Sequence, residues 1–125
     1  MPGAFPHLVA GSAMFIIGRY FFKDYFSGND KVKEQILLAV VCLSFSLLPD
    51  FFLVIYYTTH VLSFSTFVPY HNLSHLIFSP IAIIALLILK YWGKTKREPI
   101  WIMGLLSIVL HIIMDLFIPE SGIWI

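Results

Sequence analysis

The sequence predicts an all-α protein, an integral membrane bundle of about four transmembrane helices. Of its 125 residues, 59% are apolar and only 12% are charged, whereas soluble domains are about 45–50% apolar and about 25% charged. A single domain of this size buries only about two-thirds of its surface, so it could not hide this much apolar surface from water. Four segments approach the length of about 20 apolar residues that a spanning helix needs.

The four apolar segments follow one another without a repeat or a long linker, which predicts one membrane-embedded domain over residues 1–125. They are residues 8–22, 36–57, about 73–92 and 99–118. The first segment is the shortest and has Arg19 near its end. The alternative is therefore three spanning helices and a first helix that lies on the membrane surface. Pro99 opens the fourth segment, and proline favours the first position of a helix.

The positively charged residues predict how the bundle is oriented. All eight lie around the first and third connections, and the second connection, 58–72, has none. The two clusters are Arg19, Lys23, Lys31 and Lys33, and Lys90, Lys94, Lys96 and Arg97. Because cytoplasmic loops are enriched in such residues, we predict a multi-pass protein of the cell (inner) membrane with both ends outside the cytoplasm. A net charge of +1 without a basic face excludes nucleic acid as a partner.

Two aspartates interrupt the apolar segments. Asp50 and Asp115 each cost about 2.5–3.5 kcal/mol at membrane depth, so each needs a compensating partner. Asp50 lies 14 residues after Ile36, and His111 and Asp115 lie 12 and 16 residues after Pro99. At about 1.5 Å per residue, these side chains are roughly 18–24 Å from the cytoplasmic side, in the outer half of the bilayer.

The histidines supply the expected partners. His7 immediately precedes the first segment, and His71 and His75 lie where the third segment begins. Both of these segments start on the outer side, so the three histidines are predicted at the depth of the two aspartates. His71 and His75 are four residues apart, although His71 falls just before the predicted third helix.

Spacing and backbone both favour a metal site among these residues. His111 and Asp115 are also four residues apart, so they share one helix face and could chelate one ion. Pro49 kinks or breaks the second helix. Broken backbone at membrane depth is tolerated inside protein or beside a wet cavity, where a metal-binding Asp50 would be needed. Imidazole and carboxylate donors without a thiol suit Zn²⁺, and also Mn²⁺ or Fe²⁺.

Structural roles are the alternative for each of these residues. The two aspartates could form buried hydrogen bonds that only hold helices together, and His7 could be an interfacial or capping residue. His60 lies outside the predicted cluster beside two threonines, and we interpret it as solvated. Glu120 follows the fourth segment, where it is close enough to act as a general base and could equally be a solvated turn residue.

Several short motifs occur in a characteristic order along nearly the whole chain. They are His7 with Gly11, the run Leu48-Pro49-Asp50, the pair His71 and His75, and His111-x-x-x-Asp115 with Pro119 and Gly122. The set resembles the LexA-regulated, membrane-bound metal-dependent hydrolases, the YdjM-like family. That family has a second aspartate where this chain has Phe52, and its central histidines are one residue further apart. The resemblance implies a helical membrane hydrolase that needs a divalent metal, with a likeness to zinc phospholipase C.

We therefore predict a membrane-bound metal-dependent hydrolase whose site lies in the outer leaflet and acts on a lipid-linked ester, in the first place a phosphoester. A divalent metal, with zinc favoured over manganese or iron, would acidify water and stabilise charge on the phosphoryl oxygens. The expected partners are membrane lipid and the lipid-linked substrate. The expected proton carrier is His71 or Glu120, or Asp50 if it does not touch the metal. The expected metal ligands are His7, Asp50, His75, His111 and Asp115.

Two other functions fit the same residues. A carrier of metal ions or protons, or a subunit of one, could use the aspartates and histidines as a relay. Against it, residues 36–43 and 99–108 offer no carboxylate or imidazole to continue the path. An inactive membrane protein that keeps a metal ion is the third possibility, because Phe52 replaces one carboxylate that the resemblance leads us to expect.

Overall fold

The computed structural model describes residues 4–28, 31–59, 63–91 and 97–117, and every element within them is helical. The helices are α1 (Ala4–Phe21), α2 (Lys23–Phe26), α3 (Val32–Leu47), α4 (Phe51–Thr59), α5 (Phe64–Tyr91) and α6 (Glu98–Phe117), with a 3-10 turn (Leu48–Asp50) between α3 and α4. The predicted all-α class is therefore confirmed. Among the described residues, three stretches are long and apolar enough to cross a membrane: Val32–Asp50, Pro69–Tyr91 and Glu98–Phe117.

The second predicted segment is divided at Pro49. Proline has no backbone N–H and its ring clashes with the preceding turn, so an α-helix cannot run through it unchanged. The chain passes through the 3-10 turn instead, where the Phe51 N–H donates to the Leu48 carbonyl three residues back. The break predicted at this proline is present, and it holds Asp50 at the end of the turn, fully buried.

The third predicted segment begins earlier than hydropathy indicates. Helix α5 is 28 residues long and contains Pro69 and Pro80. It starts at Phe64, where the Ser63 carbonyl accepts a hydrogen bond from the Thr66 N–H in the first turn. The expectation that His71 falls before the helix is therefore wrong. Polar side chains in this stretch do not prevent a helix, because its hydrogen bonds are made by the backbone. Pro69 and Pro80 are exceptions within α5, since neither has an N–H to donate, yet the helix continues through both.

Helix α1 packs beside α3 and α6 and is not one of the three stretches that qualify as membrane spans. It runs antiparallel to α3, since Gly11 lies against Ser46 and Gly18 lies against Leu38. Gly11 permits this approach because a Cβ there would collide with the Ser46 hydroxyl and lie 3.1 Å from the Cys42 carbonyl oxygen. The close contact of α1 and α3 brings the start of α1 to the 3-10 turn.

Two apolar clusters hold the helices together. The larger joins α1, α2, α3 and α6 through Met14, Phe26, Leu38, Val41, Cys42, Ile100 and Met103. The smaller joins α5 to α6 through Ala82, Leu86 and Ile108. Apolar side chains such as Ile16, Leu76 and Leu116 remain exposed around the bundle. This outer surface is what a lipid environment requires of a helical protein.

The far end of the bundle, away from the 3-10 turn, is closed by a polar clasp made of Tyr25, Glu34 and Arg97. Arg97 Nε and Nη2 donate to the Glu34 carboxylate over 2.9–3.1 Å, and the Tyr25 hydroxyl donates to Glu34 Oε2 over 3.0 Å. The hydrogen bonds to Glu34 raise the pKa of Arg97. Burial, and then the hydrogen bond to Glu34, raise the pKa of Tyr25. The clasp ties α2 and the start of α6 to the start of α3.

Candidate metal centre

Six histidine and aspartate side chains meet where four helical elements converge. His7 comes from the start of α1 and Asp50 from the 3-10 turn. The other four are pairs spaced one helical turn apart, His71 with His75 on α5 and His111 with Asp115 on α6. Residues four apart share a helix face, so each pair presents two side chains to the same point. The structure thus brings together residues that were predicted, from their distance along each helix, to lie at the same depth in the membrane.

Four of the six side chains form a first group, in which His7 from α1 and His111 from α6 lie against the two carboxylates. His7 Nε2 lies 3.2 Å from Asp50 Oδ2 and 3.3 Å from Asp115 Oδ1. His111 Nε2 lies 3.0 Å from Asp115 Oδ2, and the His7 and His111 rings stack with their centroids 4.0 Å apart. These four side chains could hold one metal ion, since a ligand atom from each lies within 4.8 Å of all the others.

The two histidines of α5 also approach Asp50. His75 Nε2 lies 3.4 Å and His71 Nδ1 lies 3.6 Å from Asp50 Oδ1. His75 Nε2 is also 3.3 Å from Asp115 Oδ2, so it contacts both carboxylates. Asp50, His71 and His75 form a second group whose ligand atoms lie within 4.8 Å of one another.

The polar atoms of the first group are close without being aligned for hydrogen bonds. Among the described residues, no hydrogen-bond partner satisfies the buried atoms His7 Nε2, Asp50 Oδ2, His111 Nε2 and both carboxylate oxygens of Asp115. Buried polar atoms normally have partners. Ligands of a tetrahedral ion bonded at about 2.0–2.1 Å lie about 3.3–3.4 Å from one another. Three observed separations are 3.0–3.3 Å and a fourth, between His111 Nε2 and Asp50 Oδ1, is 3.8 Å, so they lie on either side of this value.

Burial of the cluster has a high free-energy cost when no cation is bound. The side chains of His7, Asp50 and His111 are 0% exposed, and that of Asp115 is 9% exposed. Two carboxylates in one buried site repel each other and lose their hydration, and one divalent cation offsets both effects. A divalent ion held by these side chains could therefore offset the cost of their burial.

The helix break also supplies the groups that orient the ligands. In an unbroken helix the Ser46 carbonyl would accept from the N–H of residue 50. In this structure it accepts from His111 Nδ1 at 2.6 Å instead. Donation from Nδ1 leaves the lone pair of Nε2 directed at the cluster, as in many metal-binding histidines. We did not predict Ser46 from the sequence, and its position three residues before Pro49 is the signal that could have identified it.

Ser74 performs a similar task on the other side. Its hydroxyl is buried within hydrogen-bonding distance of the Pro49 carbonyl, and of the His71 carbonyl at 2.7 Å. A hydroxyl has one proton, so it serves one carbonyl at a time. The contact connects α5 to the 3-10 turn beside Asp50 and so fixes the distance between the two histidines of α5 and that carboxylate.

Three positions singled out in the sequence are not part of the cluster as the structure describes it. Glu120 and His60 lie outside the described residues. Phe52, which stands where the resembling family has an aspartate, lies on α4 and packs its ring against those of Phe78 and Tyr70 at 6.2 and 6.0 Å. It therefore contributes apolar contact between α4 and α5.

The two most exposed side chains of the cluster come from α5 and α6. His75 is 19% exposed, the largest value among the six side chains, and Asp115 at 9% is next. The residues that follow them in sequence, Leu76 and Leu116, are largely exposed and apolar. Exposed apolar side chains therefore lie next in sequence to the two most exposed members of the cluster.

Comparison with known proteins adds no relative to this description: no family model, no curated protein and no solved structure matches the chain. The resemblance to the YdjM-like hydrolases therefore stays a prediction from motifs. The conclusion that the structure carries is a helical membrane bundle with a buried histidine and aspartate cluster that could hold a metal ion.

Proposed function

We propose that this chain is a membrane-embedded, metal-dependent hydrolase that acts on a lipid-linked ester. Among such esters, a phosphoester is the favoured substrate. The observation that supports the proposal is the cluster of buried imidazole nitrogens and carboxylate oxygens at the spacing of metal ligands. Nothing of this kind is needed to hold a small bundle together, because the apolar contacts of α1, α3 and α6 already do so.

The donor set indicates which ion the site prefers. Histidine nitrogen and aspartate oxygen suit Zn²⁺ first, with Mn²⁺ and Fe²⁺ also compatible. Cys42 is a buried member of the apolar core and contributes nothing to the cluster. His7, Asp50, His111 and Asp115 would hold the ion, and when bound it supplies acidified water and positive charge for the oxygens of an ester or phosphoester.

The protein's own groups would orient the metal ligands and limit the access of water and substrate to one side of the cluster. Ser46 fixes the ring of His111, and Ser74 fixes the 3-10 turn that carries Asp50. His75 is the most exposed member of the cluster, so water and substrate would enter beside it. Restricted access of water strengthens electrostatic interactions within the site.

The exposed apolar side chains near the cluster support a lipid as substrate. A lipid in the bilayer could place its headgroup ester beside His75, because Leu76 and Leu116 are exposed and apolar and could contact its chains. The predicted orientation puts this end of the bundle in the outer leaflet. The substrate would then enter sideways from the membrane.

A relay for ions or protons is less well supported. Beyond the cluster, the segments 8–18, 36–48, 76–89 and 99–110 contain no acidic, basic or histidine residue. A relay needs polar groups along its whole path through the bilayer. The polar groups of this chain stop at one level, as expected for a reaction site.

Hydrolysis of lipid phosphoesters by detergent-purified protein, supplied with Zn²⁺ or Mn²⁺, tests the proposal. We expect turnover by the wild type and none by Asp115→Asn, which keeps the side chain's size but removes its charge. Glu34→Gln is the matched control, because it makes the same change at the clasp and should leave turnover intact. Equal activity of wild type and Asp115→Asn would reject a catalytic role for the cluster.

A further inference from the structure

We propose that the cluster holds two divalent ions that share Asp50, one in a closed subsite and one in an open subsite that receives the substrate's phosphate group. The closed subsite is His7, Asp50, His111 and Asp115, and the open subsite is Asp50, His71 and His75. The inference rests on the metal centre of the proposed function and deepens it, because it assigns a substrate class to one of the two ions.

The nearest histidine nitrogens to the two oxygens of Asp50 come from different subsites, although His111 of the closed subsite also lies 3.8 Å from Oδ1. Oδ2 is the atom near His7, at 3.2 Å. Oδ1 is the atom near the α5 histidines, at 3.4 Å from His75 and 3.6 Å from His71. A carboxylate that offers one oxygen to each side is arranged as a bridge between two ions, and paired ions bridged in this way are common in phosphatases and nucleases.

His71 is the residue that a single ion would leave without a role. It belongs to the second group of ligand atoms and not to the group of His7, His111 and Asp115. Its side chain is nonetheless buried, at 4% exposure, with Nδ1 directed at Asp50. The proton-carrier role that the sequence suggested for His71 is replaced here by ligation, because a carrier must exchange protons with water and this ring is enclosed.

The subsites differ in the way that structural and catalytic metal sites differ. Four protein ligands complete a tetrahedral shell, whereas catalytic sites keep three protein ligands and one open position. The closed subsite has four candidate ligands, three of them with fully buried side chains. The open subsite has three candidate ligands and includes His75, the most exposed member of the cluster.

Charge assigns the ligand of the open subsite. One divalent ion neutralises the two carboxylates, and a second leaves two positive charges in a mostly buried place. Such an excess is costly in a medium of low dielectric constant unless an anion accompanies it. A phosphate or phosphoester group has the charge and the oxygens to complete the open shell. The second ion and the phosphate group should therefore bind together, each raising the affinity for the other by the same factor.

Metal stoichiometry with and without inorganic phosphate tests the inference. Native mass spectrometry would count Zn²⁺ ions on detergent-purified wild type, on a double variant His71→Ala/His75→Ala and on His7→Ala. We expect two ions on wild type in phosphate, with the weaker one tightened about 5–150-fold by phosphate. We expect one ion on the double variant with no effect of phosphate, and loss of the tighter ion from His7→Ala.

A second measurement needs no variant and so does not depend on how variants fold. Wild type loaded with Mn²⁺ should show the exchange-coupled paramagnetic resonance spectrum of two ions about 3.5–4 Å apart. An uncoupled spectrum with one ion per chain, with or without phosphate, would overturn the inference. So would a single ion lost equally from the double variant and from His7→Ala, since that result describes one centre in which His75 completes the shell.

The two proposals can fail separately. Two coupled ions on a protein that hydrolyses no phosphoester would support the paired site and reject the hydrolase. Turnover by a protein that holds one ion would support the hydrolase and reject the paired site.

Discussion

Within the described part of the chain, the histidine and aspartate cluster and the clasp are two polar regions that lie at opposite ends of α3. In the clasp, the carboxylate oxygens of Glu34 accept aligned hydrogen bonds from Arg97 and Tyr25. In the cluster, His7 and Asp115 have atoms within 3.3 Å that have no aligned partner among the described residues. Groups that satisfy one another hold a structure together. Groups that converge with few aligned hydrogen bonds among them could instead be held together by a bound ion.

Exposure separates the two regions as well. Arg97 is 48% and Glu34 is 18% exposed, so water and salt screen their attraction and the pair adds little to stability. The two aspartates of the cluster are 0% and 9% exposed, so a change there is felt at nearly full strength. The contrast predicts that substitutions in the cluster weaken metal binding, whereas substitutions in the clasp leave it unchanged.

Asp115→Asn should break the cluster and produces the largest expected effect. It removes one negative charge and one ligand oxygen from a buried ion, which is more severe than losing a supporting hydrogen bond. We expect metal affinity to fall by more than the about 10–100-fold typical of supporting groups, measured by competition with a chelator. Glu34→Gln is the control, and an equal loss of affinity in both variants would remove the distinction between the two regions.

Gly11→Ala should disturb the cluster from a distance. The added methyl group meets the Ser46 hydroxyl and the Cys42 carbonyl, so α1 must move away from α3 and carry His7 with it. We expect unfolding in denaturant to be easier by about 1–3 kcal/mol, together with weaker metal binding. Ser12→Ala changes the exposed neighbour on α1 and should leave both quantities unchanged. Full metal affinity in Gly11→Ala would contradict the role assigned to this contact.

Ser74→Ala sharpens the comparison, because it removes a supporting hydroxyl and leaves every candidate ligand in place. We expect a loss of about 0.5–1.5 kcal/mol of stability and a fall of about 10-fold in metal affinity. Ser79→Ala is a matched control on the same helix: Ser79 is buried, and its hydroxyl has no hydrogen-bond partner in the described part of the chain. Identical behaviour of the two variants would show that the Pro49 contact does not support the site.

Glu34→Gln should produce the smallest effect and defines the other side of the comparison. The exposed pair with Arg97 is weakened, so the melting temperature should drop slightly at low salt and converge with that of wild type at high salt. Metal content should not change. A salt-independent loss of stability would mean that the clasp contributes more than its exposure predicts.

Much of the fold and of the cluster follows from the sequence by simple arithmetic. Apolar segment lengths predict the helices, and counting residues from the helix starts places Asp50 and Asp115 at one level. Pro49 predicts the break because its ring constraint acts locally. These features are determined by the chain's own covalent chemistry and by the thickness of a bilayer.

Other features depend on contacts between distant residues and could not be predicted in this way. The start of α5 at Phe64 depends on backbone bonding that hydropathy does not register. The Ser46 carbonyl becomes an acceptor for His111, which is 65 residues away, only when the bundle forms. The clasp joins Glu34 to Arg97, 63 residues apart, and no motif marks the pair.

The number of divalent ions per folded chain tests the central claim most directly. Native mass spectrometry of wild type purified in detergent without chelator would be compared with His111→Ala and with Glu34→Gln. The account predicts at least one divalent ion on wild type and on Glu34→Gln, and its loss from His111→Ala while the protein stays folded. Folded wild type without metal after incubation with Zn²⁺, Mn²⁺ and Fe²⁺ would contradict it.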